Sequence, residues 1–270
     1  MYTSRPGDPG IDRKFEEALV AAESQLGQVH PARVAGKAIH AEKTFTVRSP
    51  IEAKLKIGTF QQCRAAETEA AILAANEAYP EWSQIPWMAR CEYIDVAADL
   101  MEEDRYHLAA LITLESGKTQ HESLAEVGEA VALLRYHSIV IRDNDGFVRS
   151  MPSAASLTVA FSSIHPHGVW AVISPFNFPL VLGAGAAAAA LITGNTTIMK
   201  PASAAPLSML TFCQILEQAG LPAGAANCIT GSGPAFGKII VRSPGIHFKI
   251  KFTFSSLTKG LRKDFTILQP

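Results

Sequence analysis

Residues 168–201 read GVWAVISPFNFPLVLGAGAAAAALITGNTTIMKP. The opening apolar run, Val169–Ile173, has the length and composition of a buried strand. A turn follows at 174–179, holding Asn177 between two aromatics and two prolines. Residues 180–192 form an Ala-rich helical stretch. Gly194-Asn195 breaks it, and a second strand at 196–199 ends in Lys200-Pro201. Strand, helix and strand in that order are the front half of a nucleotide-binding βαβ unit. Downstream the alternation continues. A helix at 207–219 is stopped by Gly220, a strand spans 226–230, and a helix spans 235–241. Three strand–helix pairs in succession predict an α/β fold, a Rossmann-like parallel sheet with helices on both faces. In such sheets ligands bind beyond the carboxyl ends of the strands. Here those ends are 174–177, 200–203 and 231–237.

Upstream the pattern is mainly helical. Residues 11–26 place Phe15, Leu19 and Leu26 on one face. Short strands with turns occupy 32–60, with a hairpin tip at Gly36-Lys37. A helix at 65–79 is expected to end at Pro80, leaving Trp82 and Trp87 in a connector. Helices follow at 89–103, 108–114 and 119–138, with Gly117 as a stop signal. Residues 147–149 and 157–161 read as two strands of a protruding β-hairpin. The predicted organisation is a helical region at 1–142, the hairpin at 143–165, a nucleotide-binding part at 166–245 and a tail at 246–270.

Composition narrows the function classes. Apolar residues make up 48% and charged residues 18%, with a net charge of −1, so an ordinary globular chain without a nucleic-acid-binding surface is expected. The longest apolar run, 179–192, is too short to span a bilayer, which takes about 20 residues. No membrane partner is therefore expected. Cys63, Cys91, Cys213 and Cys228 are scattered, without the spacing of a zinc site. They fit buried thiols in a reducing, cytoplasmic setting. His165-Pro166-His167 lacks a clustered third ligand, so no metal is expected.

Several residues at the strand ends can carry chemistry. A Gly-rich strand-to-helix turn at 231–237 lets backbone N–H groups approach a pyrophosphate, although a plain tight turn uses glycine as well. Lys200 stands where many dinucleotide folds offer a carboxylate to the ribose. A cation there admits NADP as well as NAD, and a solvated strand end is the competing account. Asn177 presents an amide from a stiff turn, as an oxyanion donor would, or simply as a turn residue. Glu115 and Lys118 read as capping and surface groups rather than catalysts.

Taken together these residues resemble the aldehyde dehydrogenase superfamily. Residues 174–179 are similar to its P-W-N-F-P turn, with Phe176 replacing Trp. Gly194-Asn195-Thr196 with Lys200-Pro201-Ala202 is similar to its G-N-T…K-P-A/S segment. Gly220-Leu221-Pro222-Ala223-Gly224 with Asn227, and Glu115-Ser116-Gly117-Lys118, resemble two further motifs. The leader helix, Leu134-Arg135-Tyr136 and 200–203 resemble the 1-pyrroline-5-carboxylate dehydrogenase branch. The resemblance implies oxidation of a small aldehyde, L-glutamate γ-semialdehyde, to glutamate with NAD or NADP. Another semialdehyde, or a non-catalytic nucleotide-binding or interaction fragment, are the alternatives.

By the same resemblance, Asn177 donates to the oxyanion. Ile173, Ser174, Pro175, Phe176, Lys200, Ala202, Ser203, Gly233, Gly237 and Ser255 contact cofactor, with Lys200 and Ser203 at the adenosine ribose and both glycines along the pyrophosphate. The hairpin implies a homo-oligomer for a full-length protein. Two departures stand out. Phe252-Thr253-Phe254-Ser255 replaces the family's F-T-G-S, putting a bulky side chain where glycine belongs. None of the four cysteines has the context of the family's nucleophile, and its catalytic domain and general-base glutamate are expected to be missing. Without a thiol to attack the aldehyde, no oxidation is expected. The tail composition fits a frameshifted or truncated product, which would expose apolar surface and self-associate.

Overall fold

In the computed structural model, residues 8–152 and 159–251 are described in full and 252 and 265–268 as backbone. Four strands form the parallel centre: β8 (Val169–Ile173), β9 (Thr196–Lys200), β10 (Ala226–Cys228) and β11 (Phe248–Phe252). Their spatial order is β11-β8-β9-β10. By chain position this is fourth, first, second, third, the arrangement of a doubly wound sheet. The order reverses between β8 and β11, so a crevice belongs at that point.

Helices cover both faces of the sheet. α6 (Val181–Ile192) and α7 (Leu207–Gln218) share one core with Val172, Met199 and Cys228. α2 (Ala65–Gln84) and α8 (Gly233–Ile240) share a second with Ala171, Ile198 and Ile229. Adjacent strand residues point to opposite faces, so neighbours such as Ala171 and Val172 serve different cores. α6 packs closely because it is built of Ala and Gly. A Cβ on Gly185 would lie 2.8 Å from Leu133 Cδ1.

The upstream chain contributes to this sheet directly. α1 (Pro9–Ser24) begins at Asp8, whose side chain accepts from Gly10 N–H. β1 (Val29–His30), β4 (Thr44–Arg48) and β5 (Lys56–Gln61) make a separate sheet in the order β1-β5-β4. β2 (Ala32–Val34) and β3 (Lys37–Ile39) instead extend the main sheet antiparallel from β10. Their turn is Ala35-Gly36, both at positive φ, one residue before the expected tip. α3 (Trp87–Glu103), α4 (Arg105–Ser116) and α5 (Gln120–Asp143) pack behind α6 and α7.

Pro80 does not end its helix, contrary to the sequence expectation, and Trp82 lies inside α2 rather than in a connector. Pro in a helix interior costs about 3 kcal/mol. Trp82 is 1% exposed and donates through Nε1 to Leu191 O. Burying a tryptophan is worth about 4–6 kcal/mol. Tertiary burial therefore outweighs the local penalty. Trp87 starts α3, and Gly117 closes α4 at φ +77.

β6 (Val148–Met151) and β7 (Ala160–Ser163) pair antiparallel as a separate two-stranded ribbon. Most of the expected strand at 157–161 precedes β7, and Leu157 and Thr158 lie outside the described residues. The tail adds β11 beside β8, and β12 (Phe265–Leu268) pairs antiparallel with β11. Among the described residues, no helix is long and apolar enough to cross a membrane.

Candidate active site

The carboxyl ends of β8, β9 and β10 lie side by side. Ile173 registers with Lys200, and Ser174 N–H donates to Lys200 O at 3.2 Å. Ser203 Oγ donates to Gly231 O at 2.6 Å, joining the loops after β9 and β10. Ile173, Ser174, Lys200, Ser203 and the start of α8 thus form one rim. Ala202, half-buried, lies in the loop after Lys200.

Lys200 is 2% exposed. Its Nζ donates to Pro201 O at 2.6 Å. An ammonium has three N–H donors, so this carbonyl leaves capacity unused. Burial lowers its pKa to about 8. Ser174 is also buried, and its Oγ has no partner. An under-satisfied ammonium and an orphaned hydroxyl at the same edge are the pattern of a site that expects polar groups from outside.

Three helices begin at this edge, and two are already occupied. The Glu115 carboxylate accepts from Leu207 N–H, from Ser208 N–H at 3.0 Å and from Ser208 Oγ at 2.7 Å, which closes α7. Glu126 Oε1 accepts from Leu180 N–H at 2.9 Å and Val181 N–H at 3.2 Å, which closes α6. These carboxylates stand where an anion would bind a helix N-terminus. α8 has only its own cap, Ser232 Oγ accepting from Ala235 N–H at 3.5 Å. At Gly233 and Gly237 an added Cβ would meet nothing within 4 Å. Protein packing does not account for either glycine, and the open space leaves room for a ligand beside the backbone.

Glu115 is therefore not a surface group. It is 2% exposed, and burial pushes its carboxyl up to about 7 against three hydrogen bonds that favour the anion. Lys118 is not a free surface cation either, for it pairs with Glu126 and its side chain is 15% exposed. Glu126 was not singled out from the sequence. Its signal is a carboxylate on the apolar face that also carries Ser123, Val127 and Ala130.

Asn177 lies in the turn between β8 and α6, with Pro175 buried and Phe176 60% exposed beside it. Its Oδ1 is buried without a partner. Its orientation thus comes from the turn, not from a hydrogen bond at that oxygen. Ser255 and Phe254 lie outside the described residues. The four cysteines are all buried free thiols. Burial raises the pKa of each, Cys63 to about 11. A thiol so held has little of the thiolate needed for attack. Among the described residues no cluster of His, Cys, Asp and Glu could hold a metal ion.

Strand order, two carboxylate-closed helices and one open helix define a doubly wound nucleotide-type α/β unit. The chain belongs to the aldehyde dehydrogenase family, whose profile matches residues 38–259. It is 36% identical over 245 residues to a 1-pyrroline-5-carboxylate dehydrogenase of Geobacillus sp. (strain WCH70), covering 90% of this chain and 47% of that protein. Among solved structures it is similar to a 1-pyrroline-5-carboxylate dehydrogenase from Thermus with bound NAD. That match has TM-score 0.86 and 28% identity, over 92% of this chain and 48% of the other. An NADP-dependent enzyme of E. coli matches with TM-score 0.76 and 31% identity, over 81% and 45%. The chain spans about half the length of the curated relatives it matches.

Proposed function

We propose that this chain is the dinucleotide-binding part of an aldehyde dehydrogenase that oxidises L-glutamate γ-semialdehyde to glutamate. The observation that carries the cofactor half of this reading is the open α8 N-terminus, next to two helices whose N-termini are filled by Glu115 and Glu126. The pyrophosphate would lie along Gly233 and Gly237. Lys200, Ala202 and Ser203 would face the adenosine ribose. Ile173, Ser174, Pro175 and Phe176 would line the way to the nicotinamide, and Asn177 would donate to the oxyanion. NAD(P) supplies the hydride acceptor when bound.

Lys200 offers a cation where a carboxylate would repel a 2′-phosphate, so NADP is taken as well as NAD. The substrate class follows from the 1-pyrroline-5-carboxylate dehydrogenases among the relatives. In this reading the reactive thiol lies outside these 270 residues, which is supported by the burial of all four cysteines and the upward push that burial gives each thiol pKa. The exposed Val159, Phe161 and Ile164 beside the ribbon favour assembly of copies through that element. The reduced, scattered cysteines favour a cytoplasmic setting.

Calorimetry with NAD and NADP, run beside aldehyde-dependent cofactor reduction, tests this. Both nucleotides should bind and neither should be reduced. Turnover by this chain alone would overturn the assignment of the nucleophile elsewhere. Absence of nucleotide binding would overturn the cofactor site.

A further inference from the structure

We infer that Lys118 and Glu126 are positioning residues, which grip the chain just after Asn177 and so aim its amide. This rests on the reading of residues 173–177 as the nicotinamide side of the site. Lys118 is fixed between two helix ends. Gly117 terminates α4 in the left-handed conformation, where a Cβ would already lie 3.1 Å from Pro50 Cγ. Thr119 starts α5 through a reciprocal cap with Glu122. From that place Lys118 Nζ lies 3.7 Å from the centre of the Phe178 ring, on the residue that follows Asn177. The same Nζ donates to Glu126 Oε2. The other oxygen of Glu126 accepts from Leu180 and Val181 N–H.

One ion pair therefore holds both the side chain at 178 and the backbone at 180–181. Pro179 between them has no N–H to be held. A cation over an aromatic face within about 6 Å is attracted to it, more strongly when desolvated. Exposed ion pairs contribute little, but Glu126 is fully buried, and removing its partner would leave a buried charge uncompensated. Asn177 has no hydrogen bond at Oδ1 to fix it, so the grip on its C-terminal neighbours sets its direction. Both residues act through the turn, and neither is a catalytic residue.

The test compares NAD with ADP-ribose, which lacks the nicotinamide, on the full chain. Calorimetry and thermal melting are run on wild type, Lys118→Met, Lys118→Arg and Phe178→Leu. The side-chain amide resonance of Asn177, assigned with Asn177→Asp, is followed in each. Lys118→Met should weaken NAD about tenfold while leaving ADP-ribose within about twofold, and should broaden the Asn177 resonance. Lys118→Arg should restore both. Phe178→Leu, which keeps the Glu126 caps, should show the same selective loss if Lys118→Met does not fold. Equal weakening of NAD and ADP-ribose, no change in either, or failure of Lys118→Arg to restore at normal melting would overturn the proposal. If wild type binds neither ligand, the nucleotide reading has failed. The Asn177 resonance then decides alone, and an unchanged signal in Lys118→Met overturns the positioning role.

Discussion

Lys200 places a cation at the end of a central strand where a single carbonyl meets it. With its pKa lowered to about 8 by burial, the unfolded chain binds the extra proton between about pH 8 and 10.5, and the folded chain does not. Stability therefore rises with pH across that window, and the full cost of the buried ammonium is present below it. A shift of this size corresponds to about 3 kcal/mol. Lys200→Met should accordingly melt above wild type at pH 7, with the gap closing as pH approaches 10. Melting curves across that range check this, and a gap independent of pH would show that packing, not charge burial, sets the difference. The same substitution removes the cation proposed for the ribose. Stability gained with nucleotide binding lost would mark Lys200 as a residue kept for its ligand.

The helices and strands themselves were readable because their apolar periods are local. β8 falls on the residues expected, and α6, α7 and β9 agree to within a residue or two. What was not readable depends on partners distant in the chain. Nothing near Pro80 says that Trp82 will be buried against α6. Nothing near Arg33 says that it will register with Cys228 and pair with Glu217. At the site, the motif asparagines could be recognised but their work could not. Asn195 Oδ1 accepts from His167 and Gly168 N–H, and Asn227 accepts from Ala35 N–H while donating to Thr197 O and Gly224 O. Both tie backbone segments together at the sheet. Glu115 and Glu126 cap helices other than their own, which no local pattern reveals.

α6 packs tightly against α7 and the end of β8 at Gly183. A Cβ on Gly183 would lie 2.0 Å from Met209 Cε and 3.0 Å from Ser174 Cβ. Met209 is fully buried, so its methyl has little room to withdraw. Gly183→Ala should destabilise by about 1–3 kcal/mol through overpacking. Adding Met209→Ala should cost less in that background than in wild type, because the clash disappears with the side chain. Strict additivity in denaturant melts would mean the two sites do not press on each other.

The tail is built into the main sheet. Its alternating lysines fit poorly with a central parallel strand, whose neighbours are apolar runs. Yet residues 248–251 register with 170–173 of β8, and Phe248 stacks on Trp170 with centroids 4.1 Å apart. His247 N–H donates to Val169 O at 2.9 Å and its Nδ1 accepts from Val169 N–H at 3.1 Å. β11 thus occupies the position at which the strand order reverses, and it covers what would otherwise be an open edge of β8, three of whose five residues are buried. Backbone bonds of about 1 kcal/mol each, with the stack adding about 1 kcal/mol, make removal of 246–270 cost on the order of 4 kcal/mol. An uncovered β8 edge beside buried Val169 and Ala171 is also a template for pairing with another chain. The shortened chain should therefore melt well below the full one and sediment as larger species. A monomer with unchanged melting would show that the strand at 248–252 contributes nothing to the sheet it flanks.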